Sequence, residues 1–162
     1  MKKVIDKKNI ISHKDTRGEL QKVYDSKSLT KLVDVKEVFI TTSIKNTLRG
    51  MHYQVEPFEL NKIVVCLEGS ILDVIVNIDK NDKDFGNCSF VKLKKNESIL
   101  VPKNYAHGFY CFENSKILYM TDNIYSKENE TGILWDSINF DWPGANPLLS
   151  SRDKSFVKLS KI

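Results

Sequence analysis

The sequence predicts a mostly-β fold, a sandwich or jelly-roll β-barrel with a few short helices, on three observations. From about residue 34 onward, short β-branched and aromatic runs alternate with polar turns. Helical periodicity is scarce. A length of 162 residues suits one hydrophobic core rather than two, so residues 1–162 are read as one domain. Closely spaced short strands close into such a barrel, whose mouth can hold a small ligand.

The elements follow in order. Residues 26 to 33 hint at a short helix, and Val35 to Thr42 is the first strand of the regular series. Lys62 to Leu67 comes next, and Glu68-Gly69 supplies a tight turn into Ile71 to Ile78. In that strand Leu72, Val74, Val76 and Ile78 alternate with Asp73, Ile75 and Asn77, which predicts one strongly apolar face. Asn81-Asp82-Lys83-Asp84 and Gly86 mark a loop before Cys88 to Leu93. Ser98 to Val101 runs into the turn Pro102-Lys103-Asn104, and Gly108 to Phe112 and Ile117 to Thr121 complete the series. The tail after about residue 151 hints at another short helix.

Composition narrows the function. Apolar residues make up 41% and charged residues 28%, the balance of a soluble globular protein. The first fifteen residues are basic without a long apolar stretch, so neither a signal peptide nor a membrane span is expected, and a cytoplasmic location is. Cys66, Cys88 and Cys111 lie far apart in strand-like runs without C-x-x-C spacing, which favours buried free thiols over disulfides or zinc. The net charge of +4 is spread among acidic residues, so no nucleic-acid footprint is evident. It suits an anionic small substrate, and a lysine-rich soluble surface accounts for it equally well. No G-x-G-x-x-G, P-loop or G-x-S-x-G occurs, which counts against a dinucleotide enzyme, an NTPase and an α/β hydrolase.

Two of the three histidines have unusual company. His52 lies in Leu48-Arg49-Gly50-Met51-His52-Tyr53-Gln54, with Lys62 opening the next strand, and His107 follows the turn at Pro102. Strand residues ten apart in a hairpin can face each other, which would aim His52 and Lys62 into one cavity. On spacing alone the plainer reading is a structural histidine and a surface lysine. The nearby Arg49 tilts the group toward an anion pocket. An H-x-H metal spacing is missing, so no metal site is expected.

With these segments in order, the chain resembles the dTDP-4-dehydrorhamnose 3,5-epimerases, members of the cupin superfamily. The resemblance runs from Asp15-Thr16-Arg17-Gly18 to Leu149-Ser150-Ser151-Arg152-Asp153. Between them it takes in the Leu48 to Gln54 segment, Lys62-Ile63-Val64, Gly69 to Val74, Phe85-Gly86, Pro102 to Phe109, Leu118-Tyr119, Gly132 to Asp136 and Trp142-Pro143. It implies a cupin-type jelly roll that inverts C3, C5 or both of a nucleotide-linked 4-keto-6-deoxy sugar, in deoxysugar and surface polysaccharide biosynthesis.

By the same resemblance, His52 falls on the catalytic base, Asp153 on the carboxylate that hydrogen-bonds it, Lys62 beside the ketone oxygen, and Tyr119 on the acid of the opposite face. Arg49, Gln54, His107, Tyr125 and Arg17 fall on substrate-binding positions. Without the family match, Tyr119 and Tyr125 read equally as packing aromatics, and Asp153 as a helix cap or a solvated tail charge. The chemistry agrees with the assignment. A carbon beside a ketone loses its proton only to an aimed base, with the developing enolate oxygen stabilised. The scheme demands no cofactor, redox or metal. A homodimer is implied, with an N-terminal strand of each subunit completing the other's site.

Two segments depart from the family pattern. Glu19-Leu20-Gln21-Lys22 stands where members carry paired phenylalanines and a glutamate, and Val38-Phe39-Ile40-Thr41-Thr42 replaces Gln-x-Asn positions that help hold the nucleotide. The nucleoside is therefore open among dTDP, GDP and CDP. Two other readings compete: a cupin that moves a carbonyl between C3 and C4, whose members usually show paired histidines where this chain has His52-Tyr53-Gln54, and a cupin that binds a sugar nucleotide without turning it over.

Overall fold

The computed structural model of the chain describes residues 5, 7–24 and 33–162. Its first six strands are β1 (Lys8–Asn9), β2 (Ile11–Asp15), β3 (Gly18–Lys22), β4 (Glu37–Ser43), β5 (Leu48–Gln54) and β6 (Lys62–Glu68). The next six are β7 (Ser70–Asn77), β8 (Cys88–Lys94), β9 (Glu97–Val101), β10 (Tyr105–Cys111), β11 (Ser115–Thr121) and β12 (Glu130–Gly132). Two five-stranded antiparallel sheets, in the orders β1-β9-β6-β11-β4 and β12-β5-β10-β7-β8, face each other as a jelly roll, and β2 and β3 form a separate hairpin. The mostly-β expectation holds.

The alternation of strand side chains sorts the residues into three apolar layers. Val64, Cys66, Ile71, Ile75, Ile99, Phe109 and Ile117 fill the space between the sheets. Outside the second sheet, Met51, Val74, Val76 and Ala106 are covered by Ile133, Ile138, Phe140, Trp142 and Leu159 of the C-terminal segment. Outside the first, Ile63, Val65, Leu118 and Met120 lie under Ile10, Val23 and Val33.

That wrapping corrects the reading of β7. Asp73 and Ile75 are as fully buried as Val74 and Val76, because the C-terminal segment covers one face and the barrel interior the other. Cys66 and Cys111 are buried free thiols, and Cys88 is half-buried.

Boundaries differ in places. β10 opens at Tyr105 rather than Gly108, and β4 runs from Glu37 rather than Val35. The helix anticipated over 26 to 33 falls on residues that, Val33 apart, lie outside those described. The tail forms only three-residue 3-10 turns, Asp153–Ser155 and Leu159–Lys161.

Candidate active site

The two sheets part at one end of the barrel around a cavity of about 340 Å³, within the range of small-molecule sites. Its walls follow the two-residue strand period. Tyr105, His107 and Phe109 project from β10, Tyr119 and Thr121 from β11, and Glu37, Phe39 and Thr41 from β4. β5 breaks the period, for it contributes Arg49 and His52, three residues apart. Across the ladder these meet Phe109 and His107, only two apart, with a register shift between. β5 therefore carries one extra residue, a β-bulge that turns Arg49 and His52 to the same face. Gly50 makes the bulge feasible. Its φ is +134°, and a Cβ there would lie 2.5 Å from the Cα of Gly108.

His52 and Lys62 share this cavity, though not as hairpin neighbours. β5 pairs with β10 and β12, whereas β6 pairs with β11 and β9. The two residues face each other across the barrel from different sheets.

Behind His52 stands Asp153. His52 Nε2 donates to Asp153 Oδ1 at 3.0 Å, and the Gly50 N–H donates to Oδ2 at 3.2 Å. The Asp153 N–H in turn donates to Ser150 Oγ at 3.0 Å. Burial pushes the Asp153 carboxyl up, but the hydrogen bonds from His52 and the Gly50 amide outweigh it and hold the carboxyl below its usual range. An ionised Asp153 fixes the His52 tautomer with its proton on Nε2 and leaves Nδ1 as a free lone pair.

Phe156 meets the imidazole edge-on at 5.5 Å. It fits there because residue 132, paired with His52 in the ladder, is glycine. A Cβ on Gly132 would lie 2.4 Å from the Phe156 ring.

The opposite wall holds Lys62 and Tyr119. Burial lowers the Lys62 ammonium to about 8, against the opposing pull of the Asp73 and Glu130 charges. Burial raises the Tyr119 phenol well above its ordinary value, so it keeps its proton at neutral pH. One wall thus offers an oriented base, the other a cation and a protonated acid.

The remaining expected residues differ in their freedom. Arg49 is steadied by Ser43 Oγ at 2.9 Å and the Thr42 carbonyl at 3.2 Å, with further N–H groups left over. His107 donates from Nε2 to Asp73 Oδ2 at 2.9 Å, and burial lowers its pKa despite that carboxylate, so the ring stays neutral. Gln54 lines the cavity, yet its amide is engaged by backbone: it donates to the carbonyls of Phe58 and Ile124 and accepts from the Ser126 N–H. It braces the loop that carries Tyr125, which stands half-exposed at the rim with its N–H donated to Glu37.

Arg17 stays apart. It sits at the exposed β2–β3 turn, paired with Asp15 at 2.6 Å. Its hairpin is tied by Glu19 and Gln21 to Lys95 and Asn96. The ladder places Glu97 opposite Cys66 and Val101 opposite Lys62, so this anchorage lies at the end of the barrel away from the mouth.

Sequence reasoning missed Asp73, Phe39, Glu37 and Glu130. A lone carboxylate inside the apolar run Ile71 to Val76 was the available signal for Asp73. Glu130 pairs with Arg152, whose Nη2 also donates to the Glu130 carbonyl at 3.0 Å, and so fastens the turn bearing Asp153 to β12. No local pattern marks that pairing.

A jelly-roll barrel with a histidine–carboxylate pair on one wall of its mouth, and a lysine and a tyrosine on the other, defines a cupin-like protein equipped for acid–base chemistry. The chain belongs to the dTDP-4-dehydrorhamnose 3,5-epimerase family, whose model matches residues 5–161. The dTDP-4-dehydrorhamnose 3,5-epimerase of Shigella flexneri is 38% identical, over 86% of this chain and 82% of that protein. The crystal structure of the enzyme of that name from Sulfolobus tokodaii superposes with a TM-score of 0.90 at 31% identity, covering 97% of this chain and 91% of the other. A Legionella pneumophila epimerase in complex with dTDP-4-keto-L-rhamnose superposes at 0.89 with 27% identity, covering 98% and 89%.

Proposed function

We propose that this chain epimerises a nucleotide-linked 4-keto-6-deoxyhexose, removing a proton beside the ketone and returning one to the opposite face, as a step of deoxysugar biosynthesis. The observation that carries this is the placement of the His52–Asp153 pair across one cavity from Lys62 and Tyr119. His52 Nδ1 takes the proton from carbon. Asp153 stabilises the imidazolium that forms. The Lys62 ammonium stabilises the enolate oxygen, and Tyr119, protonated at neutral pH, supplies the new proton. In this reading Arg49 and the rim residue Tyr125 meet the diphosphate and the sugar. The reaction is assigned to the cytoplasm and to residues 1–162 as one domain. A dTDP-linked sugar is favoured, since the Legionella relative holds one.

The functional unit in this reading is a homodimer. Arg17 is anchored away from its own cavity, and Val38 and Ile40 leave apolar surface exposed on the edge strand β4. In this reading a partner covers that edge and its Arg17 hairpin completes the mouth.

Solvent deuterium should enter C3, C5 or both of dTDP-4-keto-6-deoxyglucose during turnover, with inversion seen by NMR. His52→Ala should lower exchange roughly 10²–10⁴-fold. Exchange at the wild-type rate would remove His52 as the base, and a product with its carbonyl moved to C3 would replace epimerisation by ketoisomerisation.

A further inference from the structure

Phe39 lines the cavity and has no part in the mechanism above. It lies directly opposite Tyr119 in the β4–β11 ladder. The two rings are stacked, with centroids 4.8 Å apart and planes 14° from parallel. The Tyr119 ring also meets His107 edge-on, at 6.5 Å and 72°. A tyrosine in a strand orients its hydroxyl through two side-chain torsions, and a parallel stack against the ring restricts both. Phe39 itself is 41% exposed, so its ring is not needed to fill the core. Aromatic pairs of this geometry are stabilising beyond the area they bury.

We infer that Phe39 is a positioning residue, which by stacking on Tyr119 holds the phenol where it delivers its proton to the enolate face turned away from His52. This role rests on the epimerase reading. In that reaction His52 takes the proton from carbon and the electron pair moves onto the ketone oxygen. Tyr119 then gives its proton to the same carbon from the other side as the carbonyl re-forms. The imidazolium afterwards releases a proton to water and the phenolate takes one up, so none is gained or lost. Each abstraction has two outcomes. A phenol held in place gives inversion. A phenol that wanders leaves His52, its proton already exchanged with solvent, to reprotonate the original face, and the sugar departs labelled but not inverted.

The measurement is inversions per deuterium exchange, followed by NMR in D2O with dTDP-4-keto-6-deoxyglucose. Wild type should invert at nearly every exchange. Phe39→Leu keeps apolar bulk but removes the stack, and should lower the ratio about tenfold, the scale of one aromatic pair. Phe39→Tyr preserves the stack and should stay within about twofold of wild type. Should Phe39→Leu fail to fold, Phe39→Met supplies the same comparison. An unchanged ratio in the variant without the stack overturns the positioning role even if the overall rate drops, because a purely structural defect slows exchange and inversion together. A wild-type protein that exchanges no deuterium overturns the epimerase reading and this role with it.

Discussion

Lys62 is the residue on which the electrostatics of the cavity turn. A side-chain ammonium ordinarily titrates far above neutrality, but burial brings this one to about 8. Below that pH it carries the charge that the enolate oxygen of the proposed reaction requires, and as pH rises through about 8 the charge is lost. The expected kcat/KM profile therefore falls on its alkaline side from about pH 8, by about tenfold per pH unit where one deprotonation governs. Lys62→Met should cost roughly 10²–10³ in kcat at neutral pH and abolish that limb. A limb that persists in the variant would assign the titration to another group. Tyr119 contributes nothing to the profile below this range, since burial moves its phenol in the opposite direction.

At the scale of elements, β5 and β12 do the positioning. β12 pairs Gly132 with His52, and the absence of a side chain there admits Phe156 beside the imidazole. Gly132→Ala would set a Cβ 2.4 Å from that ring and 2.6 Å from the Met51 carbonyl. Overpacking of this kind costs about 1–3 kcal/mol. The urea midpoint should fall accordingly and activity with it, because the displaced segment also bears Asp153; wild-type stability would show that the tail gives way freely. Most strands could be read from the chain, since β6, β7, β8, β9 and β11 are runs of alternating or continuous apolar residues bounded by turn formers. β5 could not. Its cavity-lining residues include Arg49, His52 and Gln54, so the polar residues of the site erase the apolar pattern of a strand, and its bulge has no local sign beyond Gly50. The ten-residue spacing of His52 and Lys62 suggests a hairpin, but β5 and β6 do not pair. Their true relation, across two sheets, depends on long-range pairing that sequence spacing does not encode.

At the scale of the whole molecule, Arg17 and the cavity belong to opposite ends of the barrel, and a site that uses both must draw on two chains. In the proposed homodimer, Arg17→Ala and His52→Ala proteins should each be nearly inactive alone, and mixing them should restore activity. In a mixed dimer one site carries both defects and the other neither, so random exchange of subunits should recover about a quarter of the wild-type sites. Failure to recover any activity, with mixed dimers confirmed by mass, would return Arg17 to a surface role.

The C-terminal segment has a consequence of a different kind. It shields the outer apolar face formed by Met51, Val74, Val76 and Ala106, and it brings Asp153 to His52. Under the proposed mechanism, a molecule whose tail has peeled away would be catalytically silent and, at the same moment, would present sticky surface to chaperones and proteases. Loss of function and visibility to quality control thus coincide. A cell would accumulate little folded but idle enzyme from this failure, because damaged copies advertise themselves for removal.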